Sequence, residues 1–515
     1  MNGSNLGGTG MISVRRLAGQ LKLELRGSGD PVICGLTEDS RAVRPGWIFA
    51  ALPGTNCHGR QYLAEALARG AAAVLLGGED ADLPVPRLLA EESRLRPLMA
   101  LASSIIYGRP GEKMIMVGLT GTNGKTTTAY LLEAVLARAG LRPGVMGTVN
   151  ARWPGEARPA VNTTPEGPLL SATLAEMLAA GCRSAVLEVS SHALALGRVS
   201  GLGFEAALFT NLSRDHLDFH PDLESYYQAK KLLFDRHLKP GRGRAVINID
   251  DEYGVRLAGE LDQGAVTYGF DGRARVKGEN LRLGREGLAL DIVHPGGRWR
   301  QTSPLLAEVN AYNLLAAAAL ALVLRLEPET IREALAACAG APGRLEKVGS
   351  DPLVLVDYAH TPAALAQALA GVRALEPARL LVVFGCGGDR DQGKRPIMGR
   401  VAGAGADLIV LTSDNPRTED PGVILAEIEA GLTPLGLPRF RAGELSAAGW
   451  RPGGYLLMAD RPAAIGEAVR LLGPGDVLLI AGKGHEDYQI IGREKIHLDD
   501  REEAMKALKK AGWMQ

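Results

Sequence analysis

Short β-branched and aliphatic runs alternate with longer helical patterns through most of this chain, and that alternation restricts its fold more than any other feature. The runs at 185–189, 245–248, 380–384, 408–411 and 477–480 are bounded by Gly, Asp or other turn-forming residues and separated by helical periodicities. Such runs read as buried parallel strands of doubly wound α/β sheets. In sheets of that kind ligands sit beyond the carboxyl ends of the strands, so the chemistry is to be sought just after each run. The length, 515 residues, suggests about three domains of ~150 residues. Gly/Pro clusters mark two breaks. Gly108-Arg-Pro-Gly111 lies between a helical stretch at 95–107 and a strand pattern at 113–119. Gly340-Ala-Pro-Gly343 follows helices expected at 313–326 and 331–339. The expected domains are therefore 1–109, 110–341 and 342–515.

Composition narrows the function. With 58 Lys+Arg against 58 Asp+Glu, the balanced charge argues against a surface built for nucleic acid or anionic lipid. The longest apolar run, 314–324, is shorter than the ~20 residues of a membrane span. Residues 1–20 are Gly-rich, without an apolar segment of signal type, so a cytoplasmic protein is expected. Cys34, Cys57, Cys182, Cys338 and Cys386 form no CxxC pair and are expected to be buried, reduced thiols.

The strongest local signal is Gly118-Leu-Thr-Gly-Thr-Asn-Gly-Lys-Thr-Thr-Thr128, which follows a strand and opens an amphipathic helix. Gly121 and Gly124 let successive N–H groups face one anion; Lys125 supplies a point charge, Thr126 an oxygen for Mg²⁺, and the helix N-terminus its dipole. Position 119 is Leu where the strict pattern wants Gly, so this is a variant phosphate loop. The pattern announces a nucleotide phosphate without naming a reaction. An Asn-Lys-x-Asp base reader of GTPase type is absent, and the metal-side carboxylate after the next strong strand is Glu188. Gly385-Cys-Gly-Gly-Asp-Arg390 also follows a strand, but the third glycine of a dinucleotide fingerprint would fall on Arg390.

Taken together, Gly121-Thr-Asn-Gly-Lys-Thr126, Glu188-Val-Ser-Ser-His192, Thr210-Asn-Leu-Ser-Arg-Asp-His-Leu-Asp218, Asn310-Ala-Tyr-Asn313 and Asp357-Tyr-Ala-His-Thr-Pro362 occur in the order found in the Mur ligases, which this chain closely resembles. The resemblance runs from about residue 37 to 490. It implies a small N-terminal α/β domain for a UDP-sugar, a central P-loop ATPase domain with a parallel-rich sheet, and a C-terminal Rossmann-like domain for an amino acid. The implied reaction activates a carboxylate with ATP as an acyl phosphate, which an incoming amine then attacks. Within the family the chain is similar to enzymes adding the third residue to UDP-N-acetylmuramoyl-L-alanyl-D-glutamate.

The resemblance also assigns residues. Gly121, Thr122, Asn123, Gly124, Lys125, Thr126, Thr127, Asn310, Asn313, Arg344 and Asp357 would contact ATP. Lys125, Glu188, His216 and Lys230 would be catalytic. Thr126 and Glu188 would hold a first Mg²⁺; Glu188, His216 and Lys230 would hold a second, with Lys230 carbamylated to N6-carboxylysine. Read alone, Lys230 is a solvated helix lysine beside Lys231, and Asn310 and Asn313 are capping groups ahead of an Ala-rich helix. His360 alone reads as a satisfied core histidine, and His220 as structural. Ser40, in Asp39-Ser-Arg41, and the loop 53–62 resemble a uridine-diphosphate site. Thr163, Thr164, Ser190 and Arg198 match positions that hold sugar and dipeptide, although Leu196 stands where a neighbouring contact is often Gln.

Asp414-Asn415-Pro416-Arg417 matches members that add meso-diaminopimelate, with Arg390, Gly482 and Glu486 completing that site. The charge logic agrees: Arg417 can grip a distal carboxylate with a two-donor fork, whereas lysine would offer it only an ammonium. The expected small-molecule partners are therefore the UDP-linked muramoyl dipeptide, meso-diaminopimelate and ATP, with Mg²⁺ as cofactor and a monomer as the working unit. The lysine-adding sister, a folylpolyglutamate synthase, and a P-loop switch that hydrolyses ATP without ligating are the alternatives.

Overall fold

The computed structural model describes residues 11–54, 57–78, 82–261, 264–447, 450 and 453–514. Most of the N-terminal Gly-rich stretch (1–10), and Thr55 and Asn56 of the loop 53–62, lie outside them. Contacts divide the chain into two compact units. One comprises Met1–Lys277, Val293–Gly297 and Leu314–Ala334; the other comprises Gly278–Ile292, Arg298–Asn313 and Leu335–Gln515.

Besides the short pairing of Ile12–Ser13 with Val32–Ile33, two larger sheets shape the first unit. The smaller orders its strands Glu24–Arg26, Arg87–Ala90, Ala73–Gly77, Trp47–Ala50 and Gly35–Thr37, parallel except for the first pair. Helix Val14–Leu21 starts where Ser13 accepts a hydrogen bond from Arg16 N and ends at Lys22, whose φ is 55°. Its buried Val14, Leu17, Ala18 and Leu21 recur at helical spacing and seal one face of that sheet.

The larger sheet places Pro143–Met146, Ser184–Glu188, Ile115–Thr120, Ala206–Phe209, Arg244–Asn248 and Ala265–Gly269 side by side, all parallel. The chain enters at Ile115–Thr120, steps out to Pro143–Met146, comes back to Ser184–Glu188 beside the first strand, then crosses to the other side at Ala206–Phe209. That reversal opens a crevice at the carboxyl end of the first strand, where the phosphate loop stands.

The second unit is built on the strands Leu353–Asp357, Val477–Ala481, Leu380–Phe384, Leu408–Leu411 and Tyr455–Leu457, in that order and parallel, with Glu346–Ser350 antiparallel at one edge. Leu353 and Leu355 enter one core while Val354 and Val356 enter the core on the opposite face. A strand covered on both faces must be apolar at every position, which is why these runs stand out in the sequence.

Three details differ from the sequence reading. The Ala-rich helix begins at Glu308 and runs to Val323, so Asn310 and Asn313 lie inside it rather than ahead of it. They are tolerated there because Asn310 Nδ2 donates to Leu306 O (2.8 Å) and Asn313 Nδ2 to Asn310 Oδ1 (2.9 Å). Of the five cysteines, only Cys182 and Cys386 are buried; Cys57 is exposed, its Sγ 3.3 Å from the Tyr62 hydroxyl. Lys230 is no solvated helix lysine, being fully buried within Leu223–Arg236. Among the described residues no helix is long and apolar enough to cross a membrane.

Candidate active site

Strand Ile115–Thr120 runs directly into the loop 121–124, and helix Lys125–Arg138 carries the chain away. Gly121 has φ +137°, and a Cβ there would overlap Thr210 Oγ1 at the end of the next strand, so only glycine fits. Asn211, one residue on, fixes the loop: its O accepts from Thr122 N (2.9 Å) and its Oδ1 from Asn123 N (3.0 Å). Lys125 Nζ donates to Gly121 O (2.8 Å) and Thr122 O (2.9 Å), holding its charge above the loop. Thr126 and Thr127 follow, both buried, in the first helical turn. A helix N-terminus, a lysine and a glycine-bearing turn make an anion cradle.

Glu188, at the end of the neighbouring strand and 1% exposed, faces the cradle. Thr126 Oγ1 (2.9 Å) and Thr148 Oγ1 (2.9 Å) donate to its Oε2, and Thr148 N (3.1 Å) to its Oε1. A hydroxyl and a carboxylate beside an anion site are the hard oxygen donors that Mg²⁺ takes in small number alongside phosphate oxygens and water, so these residues fit that ion. Gly147 packs so closely that a Cβ on it would overlap Glu188 Oε1.

Lys230 approaches from helix Leu223–Arg236. Its Nζ donates to Gly121 O (2.9 Å) and lies 4.3 Å from the centre of the Tyr226 ring. Burial, and then the charge of Lys125, push its pKa well below the usual lysine range. Lys231 turns the other way, to Glu260 (3.0 Å) and Asp235 (3.8 Å). His216 adopts φ +54° and its ring stacks edge-on to His192 at 4.8 Å. Burial lowers the His216 pKa, with Lys230 and Lys125 adding to the shift against the opposing pull of Asp215. His220 is buried with Nε2 3.0 Å from Ser191 Oγ, in keeping with a structural part.

Beside Glu188, Thr164 Oγ1 donates to Glu188 O (2.9 Å), accepts from Ser190 N (2.9 Å) and lies 3.2 Å from Ser190 Oγ. Arg198 Nη1 donates to Thr164 O (3.1 Å), and its Nε lies 2.8 Å from Glu166. Thr163 Oγ1 is 3.2 Å from Thr148 Oγ1. Phosphate loop, Glu188, Lys230 and the Thr163–Arg198 group thus converge. Ser40 stands apart in the smaller sheet's loops, its Oγ donating to Glu65 (2.6 Å).

In the second unit, Asp357 ends its strand half-buried. Its oxygens accept from Leu345 N and Ala359 N, both at 2.8 Å, and burial raises its pKa against the opposing charge of Arg344. Arg344 lies 4.7 Å over the Tyr358 ring, and among the described residues its buried Nε has no hydrogen-bond partner. His360 is satisfied locally, with Nδ1 2.8 Å from Tyr358 O.

The ends of three adjacent strands gather the remaining residues. Asn415 Nδ2 donates to Glu486 (3.0 Å), and Asn415 Oδ1 accepts from Ile490 N (2.9 Å). Asp414 Oδ2 lies 3.3 Å from where a Cβ on Gly482 would stand. Arg417, half-buried at φ +52°, donates from Nη1 to Gly388 O (2.7 Å). Pro416 is buried in the same turn, and Arg390 is exposed with Nη1 on Asp389 O (3.1 Å). Burial, and the charge of Asp414, raise the Glu486 pKa against the opposing charge of Lys483.

Reading the sequence missed Thr148, Asn211 and Lys483. Asn211 stands inside the quoted Thr210–Asp218 motif and Lys483 between Gly482 and Gly484, so their positions were visible; Thr148 sits in an ordinary Gly-Thr turn that carries no signal.

Three segments match family descriptions: residues 32–95 the Mur ligase family catalytic domain, 119–321 the Mur ligase middle domain, and 343–484 the Mur ligase glutamate ligase domain. A Geobacter metallireducens protein named UDP-N-acetylmuramoyl-L-alanyl-D-glutamate–2,6-diaminopimelate ligase is 44% identical over 506 residues, covering 97% of each chain. A Gloeobacter violaceus protein of the same name is 45% identical over 509 residues, covering 97% of this chain and 98% of its own. A solved structure of a ligase of that name is 32% identical with a TM-score of 0.70, covering 98% of this chain and 99% of its own. MurF of Thermotoga maritima, solved in complex with ADP, shares the fold at 17% identity and a TM-score of 0.59, covering 93% and 97%. On its three matched segments and on likeness along its whole length, the chain belongs to the Mur ligase family.

Proposed function

We propose that this chain is the ATP-dependent ligase that joins meso-2,6-diaminopimelate to UDP-N-acetylmuramoyl-L-alanyl-D-glutamate in peptidoglycan precursor synthesis, acting in the cytoplasm as a monomer. The observation that carries the reading is full-length identity of 44–45% to relatives bearing that activity in their names. The domains are taken as 1–109 for the UDP-sugar, 110–341 for ATP and 342–515 for the amino acid.

A carboxylate oxygen of the dipeptide attacks the γ-phosphorus of ATP. The bond to the β-phosphate oxygen breaks, leaving ADP and an acyl phosphate. The amine of diaminopimelate then attacks the acyl carbon, the C–O bond to phosphate breaks, and the amine proton is lost to solvent. Bringing two anions together needs positioning and charge stabilisation above all. Lys125 and the loop N–H groups hold the phosphates, and Arg198, Ser190, Thr163 and Thr164 orient the dipeptide. Ser40 contributes to the uridine end. Asn310, Asn313, Arg344 and Asp357 contribute to the ATP site. Mg²⁺, held by Thr126 and Glu188 and further by His216 and a carbamylated Lys230, would supply positive charge against the phosphate oxygens.

A panel of amino acids offered with the UDP-linked dipeptide and ATP tests the reading. ADP should form fast only when the dipeptide and diaminopimelate are both present. Preference for lysine would give the sister ligase, glutamate on a folate acceptor the folylpolyglutamate reading, and ADP release independent of acceptor a switch. Gly147→Ala should raise the Mg²⁺ concentration for half-maximal rate by about 10-fold or more, because the new methyl must displace the Glu188 carboxylate. Titrating Mg²⁺ against initial rate reads it directly.

A further inference from the structure

Lys483 is fully buried, yet its ammonium lies among three residues assigned above to the amino acid. Nζ is 3.4 Å from Asp414 Oδ1, 3.2 Å from Asn415 Oδ1 and 3.6 Å from Glu486 Oε2. Those three side chains come from two different strand ends, and Lys483 is the cation they share. Arg461, also buried nearby, is already neutralised: its Nε and Nη2 bind Asp500 (2.7 and 2.6 Å), and its Nη1 and Nη2 reach Ser413 O and Ala481 O.

We infer that Lys483 is a specificity-determining positioning residue. Its ammonium is the built-in counter-ion that holds Asp414, Asn415 and Glu486 in place and leaves the cluster one negative charge, enough for a single substrate ammonium. The inference rests on the proposed diaminopimelate reading.

The charge count gives it content. Two carboxylates against one lysine leave a net charge of minus one, while Arg417 stands on the adjoining turn as the positive partner for a carboxylate. A distal centre bearing one ammonium and one carboxylate matches both. Removing Lys483 leaves the buried Asp414 and half-buried Glu486 carboxylates to repel each other. They then separate or take up a proton, and the ammonium site is lost whichever happens. Gln489 Nε2 still holds Asp414 O (2.7 Å) and Ile490 N still holds Asn415, so the backbone of the turn persists without the lysine.

Two variants test this. Lys483→Met keeps the buried stem and drops the charge; Lys483→Ala leaves a channel that an added alkylammonium can enter. With wild-type turnover of diaminopimelate as reference, both should raise KM for diaminopimelate about 30-fold or more. KM for ATP and for the UDP-dipeptide should stay within about twofold. Propylammonium should restore most of the loss in Lys483→Ala, whereas propanol should not. An unchanged diaminopimelate KM in Lys483→Met, a parallel rise in all three KM values, or equal rescue by propanol would overturn the inference. Failure of the wild-type chain to use diaminopimelate would instead overturn the substrate reading.

Discussion

Lys230→Met lowers kcat for ligation by roughly 10²–10³-fold while leaving the fold and the KM for diaminopimelate close to wild type. The residue is 1% exposed, packed on Tyr226 and hydrogen-bonded to Gly121 O, and methionine preserves that packing. What it removes is an amine that burial and the Lys125 charge keep below its ordinary pKa. A neutral amine can add CO₂: the C–N bond forms as one C=O π bond opens, a proton leaves, and the amine becomes a carbamate anion where an ammonium would be a cation. That inversion matters because an ammonium beside Lys125 would repel Mg²⁺, whereas a carbamate can ligate it. Isotopically labelled bicarbonate should place one carbamate carbon in the wild-type protein and none in Lys230→Met. Buffer stripped of CO₂ should slow the wild type, and bicarbonate should restore it. Because burial and Lys125 lower its pKa, the amine is neutral down to a lower pH than an ordinary lysine, and the bicarbonate requirement should sharpen as pH falls and the amine protonates. Lys231→Met, which loses only partners on Glu260 and Asp235, should keep near-normal kcat. Full activity in Lys230→Met, or a wild-type protein indifferent to CO₂, would remove Lys230 from the metal site.

The strand pattern was legible because strands such as Leu353–Asp357 and Leu408–Leu411 are covered on both faces and leave no polar position to blur the run. The phosphate loop was legible because backbone geometry demands glycine at Gly121, and few substitutes exist. Thr148 was not, since its role depends on Gly147 and Glu188 meeting across two strands. Asn310 and Asn313 misled in the same way: polar residues normally cap helices, and side-chain bonds such as those of Asn310 to Leu306 O and of Asn313 to Asn310 let them sit inside one. Lys483 shows the limit most plainly. A lysine within a glycine turn carries no signal of burial, which here comes with Asp414 and Asn415 from a distant part of the chain and Glu486 from its own turn.

Arg417→Ala should cost about 2–5 kcal/mol in kcat/KM for diaminopimelate, or roughly thirty-fold to several thousand-fold, the range for stranding a buried charge partner. KM for ATP and for the UDP-dipeptide should hold, because Arg417 belongs to a turn fixed locally: its N donates to Ile490 O (3.0 Å) and its O accepts from Gly492 N (2.7 Å). Only Nη1 of the guanidinium is engaged, by Gly388 O (2.7 Å) and weakly by Asn415 O (3.5 Å). Nε and Nη2 carry no hydrogen bond among the described residues, so a planar two-donor edge remains for a carboxylate. Arg417→Lys should therefore recover little, since an ammonium restores charge without the fork. Lysine behaves oppositely. With no distal carboxylate, it leaves Arg417 unpaired in wild type, so Arg417→Ala should improve lysine relative to diaminopimelate and narrow the ratio of their kcat/KM values from both sides. Unchanged discrimination in a folded Arg417→Ala protein would mean that the distal carboxylate is recognised elsewhere, leaving the ATP-driven chemistry of the first unit untouched.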